Sequence, residues 1–465
     1  MEEGPLFPLN SNDYLIFFLT FCASALGAAG GIGGGGIMVP LLVSVGGFSV
    51  HHAIPLTQAT VLGASIMNLI YNVRKRNPVL DRPLIDYNTA LILEVTTLLG
   101  TVIGVDVNKI SPVWLITILL IVTLGYTTYR TLRKGLELRA IETGGGEQEV
   151  QRAVPIPMDE EHALEEEESS EADALMPTTV PVHQDVHQDV ELEELDPNSE
   201  ASGSSDRKTL VAILQEERKI PVSQVFKMAL VSGIVLVISV MKGGGRGSSL
   251  VTCGSFEYWL IKASTFPILG FFAFSISREL VERDALKDSL GYTFTSNEIR
   301  WTVRSASYYP FICISAGIAA GLLGIGGGML KGPIMLEMGL PPSVVSATAA
   351  YMLLWTTAST TIQFGVMGEM LWDYALALFF VGLVSSILGQ TLLSWAVSKY
   401  KKQYLITLMI ALVIGFSTVF MGISGLQRTY AKYVNHEPLG LKHLCDDERT
   451  TVRGLAGDRF EPAFE

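Results

Sequence analysis

Apolar residues in this chain gather into long runs separated by short polar connections. Long runs cover about 14–30, 53–73, 87–107, 112–132, 224–241, 256–277, 308–324, 343–364, 372–397 and 403–421, and short ones about 37–46 and 329–339. A helix crossing the hydrocarbon of a bilayer needs roughly 20 predominantly apolar residues. The long runs meet or approach that length, so the pattern predicts an all-α polytopic membrane protein set in a lipid bilayer.

The order of runs repeats. A long run, a short one and three long ones occur twice, with two additional spans between them. The repeat is sharpest at a glycine stretch, which reads GGIGGGGIMVP over 30–40 and LGIGGGMLKGP over 323–333. Both copies contain G-I-G-G-G, four residues and a proline, from Gly31 to Pro40 and from Gly324 to Pro333. Further on, Asp86-Tyr87 and Leu99-Gly100 are echoed by Asp373-Tyr374 and Leu388-Gly389. Such self-similarity marks an internal duplication. It divides the chain into a first membrane repeat (12–135), a central loop (136–222), two linking spans (223–280), a second repeat (304–425) and a mixed-charge tail (426–465) expected to be mobile.

The short segments decide the topology. Ten or eleven helical residues reach about 16 Å, half of the roughly 30 Å hydrocarbon core. Re-entrant segments are read as placing Arg74–Arg76 and Lys399–Lys402 on opposite sides. Completed crossings, helped by extended glycines, are read as gathering the basic loops at 74–82, 130–139, 207–227, 278–304 and 398–402 on the cytoplasmic side. The second reading is the expectation. It gives two inverted repeats, each with a glycine-broken helix and a short half-helix, and such repeats are a transporter signature.

Charge is unevenly spread. The formal net charge is −13, yet residues 141–206 hold 20 acidic residues and one basic, leaving +6 for the remainder. A basic membrane portion with an acidic insert fits positively charged cytoplasmic loops and excludes nucleic acid as a partner. Low hydrophobicity and high charge predict a disordered insert, a place for cytoplasmic partners. The four cysteines are widely spaced and suggest neither a disulfide framework nor a metal site, and no cofactor is implied.

Gly31, Gly33 and Gly36 match G-x-G-x-x-G, but a dinucleotide site needs a βαβ unit around it, and a membrane helix precedes this one. Close packing of small residues is a competing reading. It leaves unexplained both the density of the run and the recurring proline. Consecutive glycines cost a helix about 1 kcal/mol each relative to alanine and favour a break. A break creates a helix start with unpaired N–H groups and about half a positive charge, a natural partner for an oxyanion. Short helices starting near Ile37 and Met329 would hold Pro40 and Pro333 in or just after the first turn. The candidate substrate-contacting residues are Gly31, Gly33, Gly34, Gly35, Gly324, Gly326, Gly327 and Gly328, with Thr57, Gln58 and Thr348 on the polar helix after each copy. Lys331, a solitary cation in an apolar run, is a ligand or gate, or snorkels to the interface. Its counterpart is Met38. Glu94, inside LILEVTTLL, is a proton-coupling carboxylate or a neutral core residue. No Ser/His or paired-Asp constellation points to an enzyme or supplies catalytic residues.

At these residues the chain resembles the sulfite exporter TauE/SafE family of membrane proteins. The likeness rests on the doubled glycine motif and on the helices SVHHAIPLTQAT and PPSVVSATAAYML that follow it, over about 12–135 and 224–425. The stretch GGGRGSS…CGSFEYW and the long central loop resemble the eukaryotic branch. The resemblance implies secondary transport of a small anionic substrate, sulfite or an organosulfonate. The competing class is a non-transporting trafficking or receptor-like scaffold that acts through the acidic loop.

Overall fold

The computed structural model describes residues 11–29, 34–77, 80–143, 201–242, 255–294, 298–325, 327–400 and scattered positions between 408 and 425. The helices are α1 (Ser11–Ala29), α2 (Gly35–Ser44), α3 (Val50–Asn72), α4 (Tyr87–Ile110), α5 (Val113–Thr143), α6 (Ala201–Glu217), α7 (Val222–Lys242), α8 (Phe256–Ser289), α9 (Val303–Leu323), α10 (Gly328–Glu337), α11 (Pro342–Val366) and α12 (Trp372–Tyr400). Among the described residues, seven helices are long and apolar enough to cross a membrane: α3, α4, α5, α7, α8, α9 and α12. The protein is an integral multi-pass membrane protein. Side-chain caps start several helices where loops end: Ser49 accepts from the His52 N–H, Asp86 from Thr89, and Ser255 from Tyr258.

Contacts between helices fix their directions. Asp13 on α1 accepts a hydrogen bond from the Tyr374 hydroxyl (3.1 Å), and further along Gln390 donates to the Ala28 carbonyl (2.9 Å), so α1 and α12 are parallel. Along α3, Thr60 meets Gly382 and Asn68 meets Ser386, so α3 runs the same way. On the other side, Asp86 and Glu94 of α4 meet Thr348 and Thr356 of α11 in parallel order. Gly100 and Gly104 of α4 meet Ile314 and Ile318 of α9, again in parallel order. The two sets oppose each other: Ile54 of α3 abuts Gly324, and Gln58, one turn on, donates to Ala320 of α9. Thus α1, α3 and α12 run one way, and α4, α9 and α11 run the other.

The same contacts correct the expected path of the short segments. Phe48, just past α2, stacks edge-on against Tyr374 (5.1 Å), whose hydroxyl binds Asp13 at the start of α1. Hence α2 turns back and returns the chain to the end of the bundle where α1 began. At the opposite end Leu340, just past α10, shares a cleft with Asp86 and with Trp301, which precedes α9. Both short helices are therefore re-entrant, and their ten residues span only about 15 Å. The described parts of the expected basic segments still gather at one end with this different path. Five spans (α3, α4, α5, α7 and α8) then separate the two hairpins, an odd number, so α9 starts at the opposite end from α1. Arg82 pairs with Glu298, Arg218 with Asp81, Lys287 with Glu217 and Arg130 with Glu337, all toward the Asp86 end.

The central loop also departs from expectation at its edges. Helix α5 continues to Thr143, and α6 folds over residues expected to be unstructured. Alpha-6 is held from outside: Glu217 is bound by Lys287 (2.5 Å) and Arg283 (3.4 Å), and Arg76 donates to the Arg218 carbonyl. Residues 144–200, the bulk of the expected disorder, lie outside the described residues, as do most of the expected 403–421 span and the whole tail from 426.

Helices α3 and α4 form the buried centre, whereas α5, α7 and α8 present Val122, Phe226, Phe271 and Phe274 outward. The halves interlock, since α1 packs on α12 and α9 on α4. The α4–α9 seam is made of Gly100, Gly104, Gly317 and Gly321, each facing backbone of the other helix. With no water to expel between helices in lipid, such close backbone approach supplies dispersion instead.

Candidate functional site

The two glycine stretches meet. Helices α2 and α10 begin at Gly35 and Gly328, equivalent positions in the repeat, and neither start carries a side-chain cap. A Cβ on Gly35 would lie 2.6 Å from the Ile325 carbonyl oxygen and 2.9 Å from that of Gly324. Only a residue without a side chain allows this crossing. Gly324 ends α9 with φ at 68°, left-handed backbone that glycine adopts without strain. Pro40 and Pro333 are the sixth residues of α2 and α10, two and one residues deeper than expected. There each removes the N–H that would bond the carbonyl four residues earlier.

Beside the start of α10 lies a buried ion pair. Lys331 Nζ is 2.5 Å from Glu94 Oε2 and 3.1 Å from Thr356 Oγ1, and both charged side chains have 0% exposure. The Thr356 hydroxyl lies 2.5 Å from Glu94 Oε1 and 3.1 Å from the Met352 carbonyl. Lys331 therefore does not snorkel. Its chain folds back over its own helix start, so that a Cβ on Gly327 would lie 2.8 Å from Cε and 3.0 Å from Nζ. An isolated charge in such surroundings would cost several kcal/mol, which the pair and its hydroxyl offset. The two halves are unlike here. The shift that carries Gly31 onto Gly324 carries Met38 onto Lys331 and Gly63 onto Thr356. Met38 is buried in an apolar cluster, and Gly63 packs against the Phe379 carbonyl.

The remaining candidates are distributed. Gln58 is buried at the crossing, donating to Ala320 (3.2 Å), and its Oε1 has no hydrogen-bond partner among the described residues. Thr57 is fully buried, and its hydroxyl is likewise without such a partner. Thr348 is engaged elsewhere. It accepts from the Asp86 N–H, about 12 Å along the α4 axis from Glu94 at 1.5 Å per residue. Gly31, Gly33 and Gly326 lie outside the described residues. Sequence reasoning missed Thr356, and it missed Ser386 and Gln390, which meet Asn68 Oδ1 at 2.6 and 3.0 Å. The pairing of Lys331 with Glu94 had a signal: two lone opposite charges in apolar spans each need a partner.

Tyr87, Tyr351 and Trp355 form a column of edge-on aromatic contacts (5.2 and 6.1 Å). Tyr87 also lines the cleft at the Asp86 end.

The pattern of the sulfite exporter TauE/SafE family matches residues 16–164 and 301–446. Sulfite exporter TauE/SafE family protein 3 of Arabidopsis thaliana is 28% identical over 447 residues, 95% of this chain and 84% of that protein. Family protein 5 of the same plant is 28% identical over 432 residues, 92% of this chain and 86% of its own length. The probable membrane transporter protein YunE of Bacillus subtilis is 26% identical over 206 residues, 41% of this chain and 71% of its own. No solved structure matches the chain.

Proposed function

We propose, from the premise that the chain belongs to the sulfite exporter TauE/SafE family, that this membrane transporter carries small sulfur-containing oxyanions such as sulfite or an organosulfonate. The anion binds where the glycine stretches cross, between the starts of α2 and α10. The observation that carries this reading is the direct approach of Gly35 to the Ile325 and Gly324 carbonyls, beside two uncapped helix starts. Each start offers backbone N–H donors and a partial positive charge inside a low-dielectric bundle, where both count for more than in water. The opposed helix directions support reading the halves as inverted copies that rock around a fixed central site, giving alternating access as secondary-active transport requires.

Reconstituted vesicles test the proposal. Purified protein is expected to carry labelled sulfite, methanesulfonate or taurine across the bilayer faster than empty vesicles do. Gly35→Leu, in protein that elutes as the wild type does, is expected to lose that flux, since its side chain would part the crossing. Flux of no anion by the wild type would sink the substrate assignment, and undiminished flux in Gly35→Leu would move the site elsewhere.

A further inference from the structure

We infer that Lys331 trades counter-ions during transport, leaving the Glu94 carboxylate for the substrate anion while Glu94 takes up a proton. This rests on the anion-transport reading and adds to it the coupling ion, the stoichiometry and the glycine crossing at which coupling resides.

The argument is one of charge conservation in a dry site. As the structure stands, the Lys331 ammonium is neutralised by Glu94 and both are inaccessible to water. An anion reaching the start of α10 meets Nζ, because the ammonium lies over Gly327 where a side chain would otherwise stand. Adding it without any other change would leave a net negative charge buried, at a cost of several kcal/mol. Protonation of Glu94 Oε2 removes that excess. The site is neutral before, with carboxylate and ammonium, and neutral after, with carboxylic acid, ammonium and bound anion. The proton comes from the aqueous side from which the anion entered, and both leave together on the other. Thr356 serves both states: its hydroxyl lies within hydrogen-bond distance of Glu94 Oε1 and Lys331 Nζ and can donate to a carboxylate or a carboxyl carbonyl oxygen alike.

The neighbours leave this exchange to the pair itself. Among the described residues, the other titratable groups that feel the charge of Glu94 are Cys313 from α9 and Tyr351 from α11. Helices α7 and α8 also pack on α4, but Lys262 pairs with Asp106 and Asp284 binds the Trp301 N–H, both remote from Glu94 along α4. At the first glycine crossing, Met38 and Gly63 stand in the places of Lys331 and Thr356, and neither carries a charge to exchange. Coupling is thus confined to the second glycine crossing and its α4 partner, and one proton serves the whole transporter.

Methanesulfonate is the probe of choice, because it stays ionised throughout and brings no proton of its own. If only sulfite is carried, the proton count is corrected for sulfite's own ionisation. Proteoliposomes containing a pH-sensing dye are expected to record about one proton moved per monoanion, the number that keeps the buried site neutral. Net flux should follow an imposed pH gradient and be indifferent to an imposed membrane potential. Glu94→Gln is expected to keep anion-for-anion exchange while losing pH-driven net flux, since its empty site would hold an unpaired ammonium. Lys331→Met should lose both. Anion flux unaccompanied by protons in the wild type, or proton-coupled net flux persisting in either variant, would overturn the exchange while leaving anion transport standing. If no anion moves at all, the transport reading fails first and takes the exchange with it. Should Glu94→Gln fail to assemble, Glu94→Asp keeps the carboxylate on a shorter arm and must shift the pH of half-maximal flux; an unchanged profile would count against the proposal.

Discussion

Lys331→Met should cost about 3–5 kcal/mol of stability, the penalty for removing one partner of a buried ion pair and stranding the other. Both groups have 0% exposure, so no rearrangement of side chains alone brings Glu94 to water. The double variant Lys331→Met/Glu94→Leu should recover most of that loss, because a buried pair replaced by apolar groups of similar size is often neutral in stability or better. Denaturation of the purified variants in detergent measures the cycle. A single variant as stable as the parent would mean that Glu94 is neutral or otherwise satisfied, and the pair as described would not exist. The cycle also separates two uses of the residues: the double variant should be well folded and still unable to couple.

The second large effect is expected at Gly317→Val. A Cβ there would lie 2.1 Å from the Thr97 carbonyl oxygen and 3.0 Å from the Gly100 Cα. Both obstacles are backbone, so no rotamer change relieves the clash, and the whole α4–α9 seam must open. Overpacking usually costs about 1–3 kcal/mol, and a backbone obstacle places this substitution at or above the top of that range. Loss of the monodisperse peak in gel filtration is the expected result. Gly270→Val on α8 is the matched control, since nothing lies within 4 Å of a Cβ built there. Equal behaviour of the two variants would mean that the seam is not the close contact described.

The spans were legible because apolar runs of membrane length have few other homes. The glycine breaks were legible because glycine is costly within a helix, and the observed starts at Gly35 and Gly328 fall within two residues of those expected. The direction of the short helices was not. Ten apolar residues suit half a crossing and a return equally well, and the choice is made by Phe48 and Tyr374, which are separated by most of the chain. Alpha-6 was hidden for a similar reason. Its composition is that of a linker, and what holds its end are Arg283 and Lys287, cations on another helix. Lys331 and Glu94 were each conspicuous alone, but their union spans 237 positions. Among the threonines of WTTASTT, composition cannot single out Thr356. Only the rotation of α11 turns that one toward the pair.

The interlocked halves have a consequence for how the protein is made. Alpha-1 rests on α12 and α4 on α9, so at the moment the first repeat has left the ribosome two of its helices still lack their main partners. They must wait in the bilayer, and Glu94 with them, until the second repeat brings Lys331. Neither repeat should therefore mature alone, whereas two fragments divided within 144–200 and produced together should assemble into one unit. Co-purification of such fragments, against rapid degradation of either alone, would reveal this dependence; a stable solitary first half would refute it.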